Sequence, residues 1–494
     1  MTEAHWAGEW RRRLGRPLRV LHVGNVANNA YLNARMLNDA GLDCDVLCPG
    51  NYHIMASPEW EELDDLRVIV DPDRPDWDAA APRAVRPRWF SQGPAHAAAA
   101  YLAAKRGGSR WRAATRWRAL ELRRRLSSGQ RWRWARRAHA ASRGWRASPV
   151  RDGTSPGPSD LTLDIVSYGR HHGWTSQQLR DVFTCYDVIH GYGAEAILPY
   201  AAGARPYIAW EHGTLRQLPF ERSTEGRLTA EAYRAADQVV ITNADNRSAA
   251  ERLGIARYRF MPHPINESRP SPESVTALRE QLRRRLDADF LLFHPSRQHW
   301  HPERPDHLEK GNDRLIAALA QFFEVRPGAG AIFVEWGDSV EESRALIGRL
   351  GLDRRIAWIP PQTGLSMARH MLACDVMADQ FHLGAFGSTL PRALFLGCPS
   401  MIHLDAAVHR WCLPELPPVM NVREPAEMVA ALQRAAADRA WLAGLAERGR
   451  RWYESYHSNA VVLSQLGALY ADAVAVTPPG FDGRQSPPGH VSGA

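Results

Sequence analysis

Asp379-Gln380-Phe381-His382-Leu383-Gly384-Ala385-Phe386-Gly387-Ser388-Thr389-Leu390 leads from an apolar run at Val376 into residues of helical composition. Gly384 and Gly387 permit close backbone approach. Ser388 suits an N-cap, which puts Pro391 in the first turn, where its missing N–H costs little. The amides of Gly387, Ser388, Thr389 and Leu390 would then sit at the positive end of a helix, a seat for a diphosphate. An ordinary loop–helix junction carries the same glycines, so the segment needs partners. Two cations supply them: Arg297 follows the apolar run Phe290–Phe293, and Lys310 opens the next helical stretch thirteen residues later. Fixed cations of this kind neutralise an anionic leaving group. His212, in Trp210-Glu211-His212-Gly213-Thr214, ends another apolar run and would donate to or accept from a hydroxyl or phosphate. Gly24-Asn25-Val26-Ala27-Asn28-Asn29 is rich in amides suited to polyol or phosphate contacts, without a G-x-G-x-x-G pattern. His299, His301 and His307 lie between the cations, but no carboxylate partner stands out as a further ligand and no metal is expected.

The elements that must position these residues alternate strand and helix. Arg19–Gly24, the helical stretch Tyr31–Ala40 and Cys44–Cys48 form one strand–helix–strand unit, the mark of a parallel sheet. Asp187–His190, Tyr207–Trp210 and Gln238–Thr242 continue it. After Met261-Pro262-His263-Pro264 a second series opens at Phe290–Phe293 and runs through Gly330–Val334, Ile356–Ile359, Val376–Ala378 and Ser400–Ile402. The reading is α/β, with two Rossmann-like parallel-sheet domains and a cleft between them. Its divisions are an N-terminal extension (1–17), a first domain (18–268), a second domain (269–455), a C-terminal helix (456–476) and a flexible tail (477–494). In such sheets ligands sit beyond the carboxyl ends of the strands.

The composition is that of a globular protein: of 494 residues, 45% are hydrophobic and 23% charged. No stretch reaches the ~18 apolar residues of a membrane span, and no apolar signal core follows Arg11-Arg12-Arg13. The six cysteines are dispersed and are expected to be reduced thiols in a cytoplasmic protein. Net charge is +8, but Arg83–Arg151 alone carries 18 arginines and Lys105 against Glu121. That block is +18 and leaves the remainder at −10 (8 − 18). It also holds six of the 18 tryptophans. Residues 82–160 are read as a basic helical insertion in the first domain, broken near Ser127-Ser128-Gly129. Arginine with tryptophan suits an anionic membrane surface; a solvated helical hairpin has the same composition. Nucleic acid is the weaker reading of the same residues.

Together these segments resemble the family 4 glycosyltransferases, retaining enzymes of the GT-B fold. Arg297 and Lys310 match the family's cation pair. Gly384-Ala385-Phe386-Gly387 and Arg392-Ala393-Leu394-Phe395-Leu396-Gly397-Cys398-Pro399 match the spacing of its E-G-F-G-x-x-x-x-E-A-x-x-x-G-x-P pattern. Glu211-His212-Gly213 and Pro262-His263-Pro264-Ile265-Asn266 are similar to its histidine–glycine loop and interdomain segment. The pattern's glutamates are replaced by Gly384 and Arg392. In the family the first contacts the donor sugar and the second usually holds the ribose hydroxyls. Asp379 and Gln380, a few residues upstream, are the substitutes for the sugar contacts, and Arg392 offers donors only, so it cannot accept from the ribose as a carboxylate does.

The resemblance implies transfer of a sugar from a nucleotide-diphosphate donor to a hydroxyl acceptor, a glycan or lipid-linked molecule, with no further cofactor. Arg297, Lys310 and His212 are the catalytic candidates. Gly24, Asn25, Asp379, Gln380, Gly384, Gly387, Ser388, Thr389, Leu390 and Arg392 line the donor, with its base near Trp358. The alternatives are an inactive GT-B scaffold and a protein binding RNA or another anion through residues 83–151.

Overall fold

The structure, a computed structural model, describes residues 4–50, 53–64, 72–73, 75–81, 84–127, 158–301 and 308–476. Among the described residues thirteen strands form two sheets, every strand pair parallel. The first contains β1 (Arg19–Val23), β2 (Asp43–Pro49), β3 (Phe90–Gly93), β4 (Val188–Tyr192), β5 (Tyr207–Trp210), β6 (Gln238–Ile241) and β7 (Tyr258–Phe260). Their order is β3-β2-β1-β4-β5-β6-β7. The second contains β8 (Phe290–His294), β9 (Ala329–Val334), β10 (Ile356–Ile359), β11 (Val376–Ala378), β12 (Ser400–Ile402) and β13 (Met420–Asn421), in the order β10-β9-β8-β11-β12-β13. Each is a doubly wound sheet whose winding reverses between its first and fourth strands. A crevice opens there above the strand ends.

The strands are short, mostly apolar and buried on both faces, as helix-covered parallel sheets require. The N-terminal extension is a helix, His5–Leu14, whose Ala7 and Trp10 enter the core of the first domain. The C-terminal helix Asn459–Val476 packs in the same core through Val462, Leu466, Leu469 and Tyr470. The chain therefore crosses between the lobes twice. The crossings are tied together where Asn459 Nδ2 donates to Ile265 O (3.0 Å) and Tyr453 OH donates to Glu267 (2.7 Å).

The described part of the basic span 82–160 is mostly helical, but it also supplies a strand of the sheet. Phe90–Gly93 is the edge strand β3, paired with β2. The helix Ala95–Arg106 covers the sheet with Ala98, Ala99, Tyr101 and Leu102. Lys105 bonds Asp45 (2.5 Å), Arg106 bonds both Asp43 and Asp45, and Arg86 bonds buried Glu59 (2.7 Å). Part of the positive block thus anchors the domain. The following helix is described over Arg110–Ser127. Ala113, Trp117 and Leu120 turn toward the domain. Residues 128–157 lie outside the described part of the chain. Among the described residues no helix is long and apolar enough to cross a membrane. None of the six cysteines is bonded to another.

Candidate active site

Arg297 and Lys310 sit on the loop after β8, and Asp379–Ser388 on the loop after β11, so both flank the reversal point of the second sheet. Asn312 holds the first loop. Its Oδ1 accepts from His299 N (3.0 Å), and its Nδ2 donates to Arg297 O (3.1 Å) and His294 Nε2 (2.9 Å). Lys310 is pinned by its backbone: its N–H donates to His299 O (2.7 Å) and its carbonyl accepts from Phe381 N (2.8 Å). Gly311 follows with φ 69°, and a Cβ there would lie 3.2 Å from Phe381 Cβ, so the turn requires glycine. The sequence reading did not single out Asn312, although Lys310-Gly311-Asn312 opens the helix Asn312–Val325.

Lys310 Nζ donates to Gln380 Oε1 (2.5 Å), and Asp379 lies close enough to favour its charge. Burial nonetheless brings its pKa down to about 8. Asp379 accepts from Ser296 Oγ (2.5 Å), and burial raises its pKa. Gln380 thus bonds Lys310 directly, and Asp379 supports its charge while bonding Ser296. Arg297 extends across the cleft to the first lobe, its Nη2 3.2 Å from Met55 Sδ and its guanidinium 4.7 Å over the Trp336 ring.

The helix Thr389–Leu396 begins as expected, with Ser388 as N-cap. The Ser388 side chain makes no cap bond, so it does not compete for the amides of that turn. A Cβ on Gly387 would meet open space. Gly384 is closely packed: φ is 72°, and a Cβ would lie 2.9 Å from Asp405 Cβ. A glutamate has no room there unless Asp405 moves. Arg392 is buried and donates to Glu61 (2.9 Å) from the first-lobe helix Pro58–Glu62. Trp358 does not join the group. Its ring packs on Phe333 (5.5 Å) beneath Arg344 (4.6 Å), on the side covered by the helix Val340–Arg349. An aromatic residue that does touch a cleft cation is Trp336, beneath Arg297.

On the first lobe His212 follows β5. Glu211 anchors this turn, accepting from Asn246 Nδ2 (2.5 Å), Thr242 N (3.3 Å) and the Gly213 amide. Burial, with Arg216 and Arg297 nearby, pushes the His212 pKa down to about 4, so the ring is neutral at physiological pH. Arg216, held by Asp245 (2.7 Å), acts electrostatically on both His212 and Lys310. It is a third cation that sequence reasoning passed over, although it lies four residues beyond the histidine.

Asn25 faces inward. It donates to Asn28 (2.9 Å) and Ala56 O (2.8 Å) and accepts from Tyr31 N (2.9 Å), so it builds the loop with both its amide hydrogens engaged. Gly24, at φ 91°, packs against Glu195, where a Cβ would lie 3.1 Å from Glu195 Cβ. Burial raises the Glu195 carboxyl to about 7. His307 lies outside the described residues, and His299 Nδ1 accepts from Asp338 N (3.3 Å). Among the described residues no three metal-binding side chains converge.

No protein-family model matches the chain, nor does any curated protein. Solved structures do. The chain is similar to the sucrose-phosphate synthase tll1590 of Thermosynechococcus elongatus, with TM-score 0.52 and 14% identity over 93% of this chain and 100% of that one. It is similar to a glycosyltransferase from Rickettsia africae, with TM-score 0.50 and 10% identity over 93% and 99%. The fold is GT-B. Anabaena Alr3699/HepE, crystallised with UDP, aligns over 65% of this chain and 98% of its own, at 18% identity and TM-score 0.49. In GT-B terms the cations and the helix tip belong to the C-terminal lobe, and His212 and Arg216 to the N-terminal lobe.

Proposed function

We propose that the chain is a retaining glycosyltransferase of family 4 that moves a sugar from a nucleotide-diphosphate donor to a hydroxyl acceptor. The observation that supports this reading is the mutual proximity of Arg297, Lys310, Arg216 and His212, drawn from both lobes: Arg216 and Arg297 act electrostatically on His212 and on Lys310. The donor's diphosphate lies between Arg297, Lys310 and the amides of Gly387–Leu390. When the bond from the anomeric carbon to the phosphate oxygen breaks, the pair stays on the departing diphosphate, and the cations stabilise that charge without a metal. His212 faces the donor from the other lobe. Closed walls limit hydrolysis of the donor. The acceptor is a glycan or lipid-linked hydroxyl compound, and the enzyme works at the cytoplasmic face of a membrane. That last element is supported by exposed Trp111, Arg110, Arg112 and Arg118 on the helix Arg110–Ser127.

The test is a panel of UDP-, GDP- and ADP-sugars, with binding followed by calorimetry and turnover by release of the nucleotide. One donor is expected to bind and be turned over, and Lys310→Ala to cut turnover by at least ~10²-fold. A second reading, an inactive scaffold, is favoured by the lack of space at Gly384 and by the engagement of Arg392 with Glu61. Absence of both binding and turnover across the panel would establish it.

A further inference from the structure

His212 has two ring nitrogens, and its contacts decide which carries the proton. Asn29 Nδ2 lies 2.9 Å from Val26 O and 3.1 Å from His212 Nδ1. Asn29 Oδ1 lies 2.9 Å from His263 Nδ1. A backbone carbonyl only accepts, so the contact with Val26 identifies the Asn29 nitrogen and excludes the flipped amide. Its two hydrogens then go to Val26 O and His212 Nδ1. The His212 Nδ1 must accept and therefore carries no hydrogen. His263 Nδ1 must donate to the Asn29 oxygen. The His212 and His263 rings lie 4.7 Å apart, edge to face, and burial keeps both neutral. The charged groups facing His212 are Arg216 and Arg297, which oppose an imidazolium there. His263 belongs to the prolyl segment between the lobes, so the network ties the catalytic loop to the interlobe connection.

We propose that Asn29 fixes His212 as the Nε2–H tautomer, so that His212 meets a ligand in the cleft as a hydrogen-bond donor and not as a base. This rests on the cleft being the donor site only for the identity of the ligand; the tautomer itself belongs to the free protein. Asn29 is a positioning residue. It favours a ligand that presents an acceptor to His212, a sugar hydroxyl oxygen or a phosphate oxygen, and it removes His212 from the candidates for deprotonating the acceptor.

The experiment is NMR of the full chain with 13C- and 15N-labelled histidine, with His212 assigned by the signals lost in His212→Gln. Ring carbon and nitrogen shifts separate the two neutral tautomers and the imidazolium. The wild-type ring is expected as Nε2–H at neutral pH and to stay uncharged down to about pH 5. In Asn29→Asp the carboxylate only accepts, so His212 is expected to move to Nδ1–H or imidazolium, with its pKa raised by about one unit or more. Asn29→Ala is expected to give a mixture of tautomers. A wild-type Nδ1–H ring, or a tautomer unchanged by either substitution, overturns the proposal. If neither variant folds, the wild-type spectrum alone decides. A failed nucleotide-sugar panel would remove the transferase reading and leave this result untouched, so the two failures are distinguishable.

Discussion

Lys310 is the residue whose protonation the cleft controls most directly. Its ordinary pKa of 10.5 is brought down to about 8 by burial, against the favourable field of Asp379. The ammonium is therefore mostly present at neutral pH and is lost as pH rises through about 8. An anion bound against it should weaken in the same range, whereas Arg297 keeps its charge throughout. Titrating the bound nucleoside diphosphate by calorimetry is expected to show affinity falling about tenfold, or ~1.4 kcal/mol, between near-neutral and strongly alkaline pH. Lys310→Arg should flatten that profile, since a guanidinium does not titrate there. A wild-type profile already flat would mean that Lys310 does not touch the anion. The sequence makes this residue visible through the spacing of Arg297 and Lys310, which matches a family pattern. It does not reveal that Gln380 bonds Lys310 and Asp379 bonds Ser296, because a bond made through a folded turn leaves no local pattern. Arg216 was hidden for a related reason: its place beside Lys310 exists only once the lobes face each other.

At the scale of elements, the helix Pro58–Glu62 is a first-lobe piece docked on the second lobe. Glu61 meets Arg392 with both side chains less than 10% exposed (9% and 7%), and Trp60 meets Trp336 edge-on at 5.9 Å. Asn266, on the connection between lobes, donates to Glu61 O (2.9 Å). This explains the arginine at 392 physically: its partner is a carboxylate from the other lobe. Removing one member of a buried pair costs about 3–5 kcal/mol, while replacing both by apolar groups is often neutral. Glu61→Ala should therefore lower the denaturation midpoint, and Glu61→Leu with Arg392→Leu should recover most of the loss. Equal destabilisation in the single and double variants would mean that the pair is not the interlobe anchor. Strands with apolar runs, such as Phe290–His294 and Ala329–Val334, were legible in sequence. β3 was not, since Phe90-Ser91-Gln92-Gly93 has one strongly strand-favouring residue and owes its burial to the helix Ala95–Arg106 laid over it. The helix His5–Leu14 did carry a signal, Trp6 and Trp10 at helical spacing, in a stretch otherwise dominated by arginine.

Across the described molecule, the basic block has an anchored part and an exposed part. Where the basic block touches the domain, Arg86, Lys105 and Arg106 are taken up by Glu59, Asp43 and Asp45. Beyond it, the helix Arg110–Ser127 turns Ala113, Trp117 and Leu120 inward and leaves Trp111 76% and Leu122 59% exposed among Arg110, Arg112 and Arg118. An indole and a leucine beside guanidinium groups match the boundary between anionic headgroups and acyl chains, where the ring enters and the charges stay with phosphate. A second-lobe donor site and a first-lobe membrane contact would also divide the labour of the lobes, because the first lobe would hold the enzyme where a lipid-linked acceptor resides. Vesicles with acidic lipid are therefore expected to retain the full chain at low ionic strength and release it at about 1 M salt, where the screening length falls to roughly 3 Å. Neutral vesicles should retain little. Trp111→Ala combined with Arg112→Glu and Arg118→Glu should abolish retention while leaving nucleotide binding intact, since these side chains lie away from the cations of the cleft. Retention by RNA but not by vesicles would transfer the surface to a nucleic-acid partner. Indifference to both would return it to an ordinary solvated helix and leave the acceptor to be sought among soluble glycans.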